Sequence, residues 1–156
     1  MTKERGLFKQ KINSILFSSE NVRKMLFDDI ESLSMKEKKA MFLEKVKSHL
    51  FIDNTLTDTG TYIFYDVTVP NIRPQLKECA IVMYLICSRD ILDNFELDGY
   101  YGNRADVLSQ IVEETLLNED NAKQFGIGDL RLMSVDIYNS KNYYGVQMVF
   151  NTGCFR

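Results

Sequence analysis

A lone histidine, three cysteines, a pair of glycines and two groups of acids are the residues whose types invite a chemical reading. His49 is the only histidine in the 156 residues. A His-activated nucleophile needs a Ser or Cys beside the imidazole and a carboxylate to orient it. No such arrangement is readable around His49. Cys79, Cys87 and Cys154 are odd in number and lack the paired spacing of zinc ligands. Cys79 and Cys87 lie in an apolar run, where a thiol packs as a small hydrophobe, and the pattern fits a reducing compartment. Gly126-Ile127-Gly128 holds half of a dinucleotide fingerprint, but it precedes a strand instead of following one and opening a helix. Asp90, Asp93, Glu96 and Asp98 form an acidic loop without the closing Glu of a calcium-binding loop. Glu113 and Glu114 are adjacent on a helix, so they point in different directions and make a poor carboxylate pair. The residues therefore predict no catalytic centre, no cofactor site and no metal site.

The composition is that of an ordinary globular domain, 45% hydrophobic and 26% charged. The length favours one domain, residues 1–156, able to bury about 68–70% of its unfolded surface without metal or disulfide. The start, MTKERGLFKQK, has no apolar core and predicts no signal peptide. No run reaches the roughly 18 apolar residues of a membrane span. Charge is split. Residues 1–50 hold eleven Lys/Arg and seven Asp/Glu, whereas residues 51–156 hold eight and fifteen. The basic end could contact an acidic partner, including nucleic acid. Duplex binding needs a denser cationic patch, and no aromatics interleave with the basic residues as in a stacking platform, so a solvated helical face is expected.

These residues must be positioned by a small set of elements. Residues 1–50 read as helices. Phe8, Ile12, Ile15 and Leu16 give one apolar stripe. Ser18 and Ser19 interrupt it and can cap a second helix, with Val22, Leu26, Ile30 and Leu33 inward. Ser34 to Glu37 fits a capping box for a third segment. Ala40, Met41, Phe42 and Val46 supply its inner face, and Lys36, Lys38, Lys39, Lys45 and Lys47 its outer one. His49 to Ile52 could already be a strand. Tyr62 to Val69 alternates as a strand, and Pro70 and Pro74 bracket a connector. Cys79 to Ser88 is apolar on both faces, as in the middle of a sheet or under a subunit contact. Asp90 to Gly102 is a long loop. Asn103 caps a helix to Leu117, with Asp106 at its third position and Val107, Leu108, Ile111, Val112, Thr115 and Leu116 inward. A polar stretch then leads to a hairpin, Leu130–Tyr138 and Tyr144–Phe150, turning at Asn139 to Asn142. The expected class is α+β: a mostly antiparallel sheet, a helix packed on one face, and an N-terminal helical segment.

The segments YIFYDVTVP, ECAIVMYLICSRD, NRADVLSQIVEETLL, and LRLMSVDIY with YYGVQMVFNT carry a resemblance. In this order, over residues 61–152, the chain resembles the tail-terminator and tail-completion proteins of long-tailed bacteriophages and related neck proteins. It departs from them in a longer helical N-terminus and in the Asp90–Gly102 loop. The resemblance implies a structural virion protein and no enzyme. It implies a homo-oligomeric ring, a hexamer, at the head-proximal end of the tail. Such a ring stops the tail tube and joins the tail to the head or neck through tail-tube and connector proteins. DNA would pass its lumen without specific binding, which a net acidic charge suits. The place implied is the virion tail or neck, after assembly in the host cytoplasm, away from any membrane. The pairs Tyr100-Tyr101 and Tyr143-Tyr144 look exposed and are the candidate subunit contacts, since aromatics are enriched at interfaces. A small non-enzymatic protein-binding or regulatory module is the alternative. An enzyme would require a pocket of converging ionisable groups.

Overall fold

A computed structural model of the chain describes residues 2–27, 32–53, 58–72, 76–93, 95–125 and 130–155. Three helices come first: α1 (Thr2–Ser18), α2 (Glu20–Leu26) and α3 (Met35–Lys45). Strands β1 (Val46–Lys47), β2 (Thr61–Ile72) and β3 (Leu76–Ser88) follow. After them come α4 (Arg104–Leu117), α5 (Glu119–Ala122), β4 (Arg131–Asn139) and β5 (Tyr143–Phe155). The strands form one sheet in the order β1-β2-β3-β5-β4. Only the short β1–β2 pair is parallel; the other pairs are antiparallel.

The two-sided apolar run at β3 sits where its composition demands, between β2 and β5. Its residues Ile81, Met83 and Leu85 are fully buried on one face, and Ile86 is fully buried on the other. The first face meets Ile63, Tyr65 and Val67 of β2 and Val146, Met148 and Phe150 of β5. Helices α1, α2 and α4 cover it with Ile12, Leu16, Val22, Leu108, Ile111 and Val112. The opposite face carries a smaller cluster, Tyr62, Phe64, Ile86 and Tyr143.

α4 begins as its sequence dictates. The Asn103 side chain accepts from the Asp106 amide at 3.0 Å, and the Asp106 carboxylate accepts from the Asn103 amide at 3.1 Å. This reciprocal cap satisfies two orphan donors of the first turn. Ser19 and Ser34 cap α2 and α3 by accepting from the Val22 and Glu37 amides.

The structure corrects several sequence expectations. α2 stops at Leu26 with Phe27 extended, so Leu33 lies outside any helix, half-buried against the core; Ile30 falls outside the described residues. On α3, Phe42 alone is buried, Met41 is half-buried and Ala40 exposed. Residues 49–52 are not a strand; the helix gives way to β1 at Val46 instead. β2 runs on through Pro70 to Ile72, with an irregularity between Thr68 and Asn71 that accommodates the missing N–H; Pro74 falls outside the described residues. The polar stretch after Leu117 folds into α5 and a 3-10 turn, Lys123–Phe125, because Ala122 and Phe125 are buried. The Phe125 ring meets Phe8 edge-on, 5.4 Å between centroids. β5 extends beyond Asn151 because β3 continues beside it as far as Leu76.

Polar links fasten α1 along β2. The Arg5 Nε donates to the Val67 carbonyl at 2.6 Å. Arg5 and Lys9 both reach Asp66 Oδ1, at 3.0 and 2.9 Å. The Tyr65 hydroxyl lies 2.6 Å from Asn13 Oδ1. Lys77, almost wholly buried on β3, pairs with Glu4. Burial pushes the Asp66 carboxyl up, but the Lys9 and Val67 hydrogen bonds and the Lys9 and Arg5 charges outweigh it and hold the group below the usual carboxylate range.

Three stability changes follow. Ile111→Ala should cost about 2–5 kcal/mol by denaturant unfolding, as for other large core side chains cut to Ala; an unchanged midpoint would show the α4 face to be unburied. A Cβ at Gly145 would lie 2.0 Å from the Leu85 carbonyl oxygen and 2.8 Å from Ile86 Cα. Gly145→Ala should therefore destabilise by at least about 1–3 kcal/mol, the range for overpacking. Asp66, whose folded pKa is depressed, contributes stability above the unfolded value of about 3.9 and loses it as pH falls through the lower folded value. Unfolding midpoints across that window should fall more steeply for the parent than for Asp66→Asn; equal slopes would show that the clamp carries no linkage.

Candidate interaction surfaces

The residues that invited a chemical reading are dispersed. His49 packs edge-on against Phe64, centroids 5.8 Å apart. Cys79 and Cys87 are buried. Burial pushes the Cys87 thiol up to about 11, with the Arg104 charge opposing, which removes the thiolate that a nucleophile needs. The Cys154 side chain and residues 126–128 fall outside what the structure describes. Among the described residues no group of three or more His, Cys, Asp or Glu is placed to hold a metal ion. No helix among them is long and apolar enough to cross a membrane.

The acidic loop is fixed from beneath. The Arg104 backbone N–H donates to the Leu92 carbonyl at 3.0 Å. Its guanidinium lies 4.9 Å from the centre of the Phe95 ring and donates to Thr61 Oγ1 and to the Met25 carbonyl. Phe95, Leu97 and Tyr100 pack on the main core, so Asp90, Asp93, Glu96 and Asp98 are left facing solvent. Gly99 and Gly102 make the two bends at φ +87° and +103°, where a Cβ would be strained.

The four candidate contact tyrosines divide. Tyr101 is 80% exposed. Its backbone is held by Gln110, whose side chain accepts from the Tyr101 N–H at 3.1 Å and donates to its carbonyl at 2.6 Å. Tyr100 is half-buried and donates its hydroxyl to Glu114 at 2.8 Å. That bond, aided by burial and the Glu114 charge, raises its pKa. Tyr143 is buried within the outer-face cluster, contrary to the exposed pair the sequence suggests. It donates to the Asp58 carbonyl at 2.8 Å and meets Tyr62 edge-on; burial first, then the Tyr62 and Asp58 charges, pushes its hydroxyl up to about 12. Tyr144 is half-buried, opposite Cys87 on β3 and Asn139 on β4.

The two sides of the sheet are treated differently. Beside β2, β1 covers Ile63 and Phe64, Arg5 takes the Val67 carbonyl, and Pro70 offers no N–H. β4, on the other side, has no buried residue along its whole length. Met133, Val135 and Ile137 are 59%, 56% and 71% exposed. Val135 and Ile137 pair with Met148 and Val146, whose side chains face the core, so they lie on the helix-bearing face. α4 stands over β3 and β5 and leaves these two uncovered. Sequence reasoning missed this row. The alternation in LRLMSVDIY was readable, but nothing local says that the covering helix ends one strand short.

The YomW family model matches residues 10–152 of the chain. That name is derived from Bacillus phage SPBc2, which marks the protein as phage-associated. No curated protein matches.

Proposed function

The chain belongs to the YomW family, and we propose that it is a structural protein of a phage tail. In this reading identical subunits form a ring at the head-proximal end, stop the tail tube and join it to the head or neck. One observation carries it. The stretch that resembles tail terminators, residues 61–152, folds into a single antiparallel sheet with α4 lying across it, in the element order that the resemblance implies. The phage association of the family supports the same reading. Fold alone hosts many functions, so the surfaces must supply the rest.

Tyr101 supplies the contact. It is a large aromatic presented on backbone that Gln110 already fixes, so little ordering entropy is lost when a neighbour covers it. The acids of the same loop point outward and would repel DNA phosphates passing a lumen. The alternative, a small protein-binding module without a ring, draws on the uncovered β4 and differs in stoichiometry.

Tyr101→Ala should leave the monomer folded, because the Gln110 bonds are to backbone. It should weaken assembly by at least about 2 kcal/mol, as for a truncated interface hot spot. Electron microscopy of particles complemented with the variant checks this: unattached or overlong tails are expected, while normal particles would remove Tyr101 from the interface. Loss of the whole gene product with normal tails would remove the ring reading.

A further inference from the structure

We propose that β4 is a self-association edge: two copies of the chain pair β4 to β4, antiparallel, about a two-fold axis. This goes beyond the ring reading and does not rest on it.

An edge strand presents unpaired N–H and C=O groups, and proteins blunt such edges with charge, proline or cover. This chain covers the edge beside β2, through β1, Arg5 and Pro70, and leaves β4 with Arg131, Asp136 and the irregularity at Leu132–Ser134 as its protection. β4 runs for nine residues, each of them exposed or half-buried. Val135 and Ile137 on its helix-bearing face are more than half exposed, as is Met133 at the irregularity. A strand added at this edge would hydrogen-bond to β4 and extend the apolar floor that α4 leaves bare.

A second copy is the occupant that fits. Head-to-tail pairing of β4 with the next copy's β2 is obstructed, since Arg5 holds the Val67 carbonyl and Pro70 lacks a donor. β1 offers only two residues. Pairing β4 with β4 uses each open edge once and closes, as an isologous contact must. Charge permits it although the chain is net −3, because Arg131 and Asp136 cancel along β4. The irregularity between Leu132 and Ser134 leaves Ser134–Asn139 as the regular stretch, centred between Asp136 and Ile137, and of those two positions the axis falls at Ile137. Ile137 then meets its own copy, and Asp136 meets Tyr138, a hydroxyl donor on the same face. An axis at Asp136 would set carboxylate against carboxylate and is disfavoured.

Sedimentation equilibrium of the whole chain over a range of concentrations tests the proposal. The average mass should rise from 18.1 kDa toward twice that value. Amide exchange on β4 should slow over the same range. Ile137→Lys, at a site already 71% exposed, should keep the circular dichroism of the parent and weaken association at least about tenfold. A constant monomer mass, unchanged association of the variant, or open-ended filaments would each overturn it. Should the variant fail to fold, amide exchange on the unaltered chain decides: β4 protection that does not rise with concentration overturns the proposal. Tyr101→Ala should leave this pairing intact, so its failure and that of the ring are separable.

Discussion

A strand hydrogen-bonded on both sides, buried along one face and half-covered on the other can carry mostly apolar side chains, and β3 is that strand. It pairs with β5 along thirteen positions and with β2 along most of its length. Its inner residues face the helices, and its outer residues hold the aromatic cluster of Tyr62, Phe64 and Tyr143. The rest of the fold is arranged to satisfy it. β5 comes so close that position 145 admits only glycine. α4 lies over β3 and β5 because that is where the apolar floor is deepest, and Arg104 ties the start of α4 to the start of β2, to α2 and to the acidic loop.

The helices that satisfy this core also decide what remains open. α1 lies beside β2 and is fastened there by Arg5 and Lys9, with Asp66 as the shared anchor, and to β3 by Glu4 on Lys77. On the far side the helical layer ends at β5. The sheet is therefore finished at one edge and unfinished at the other. Exposed apolar side chains on a long edge strand are a hazard in a protein meant to stay alone. In a protein built to assemble they would be a contact surface, the one proposed for self-association, and the Tyr101 loop is the contact proposed for the ring.

Most of the architecture was legible in the residues. Alternation marked β2, β4 and β5, the two-sided run marked β3 as central, and the Asn103–Asp106 cap with its apolar spacing marked α4 to the residue. What was not legible depended mostly on contacts between residues distant in sequence. Ile30 and Leu33 continue the helical spacing of α2, yet the helix ends at Leu26. Glu119 to Ala122 is too short and polar for periodicity, and its helix exists because Phe125 has a place against Phe8. Exposure of the tyrosines was least legible. The pairs Tyr100-Tyr101 and Tyr143-Tyr144 look alike in sequence. The Asp58 carbonyl and the Tyr62 ring, each more than eighty residues away in sequence, bury Tyr143, whereas Tyr101 stays 80% exposed.

The role proposed for this chain is assembly through surfaces at the head-proximal end of a phage tail. Labelling purified virions with an antibody against the chain, and locating the label by electron microscopy, tests that claim most directly. Label at the junction of tail and head is the predicted result. Virions that carry none of the chain, or carry it elsewhere, would contradict it.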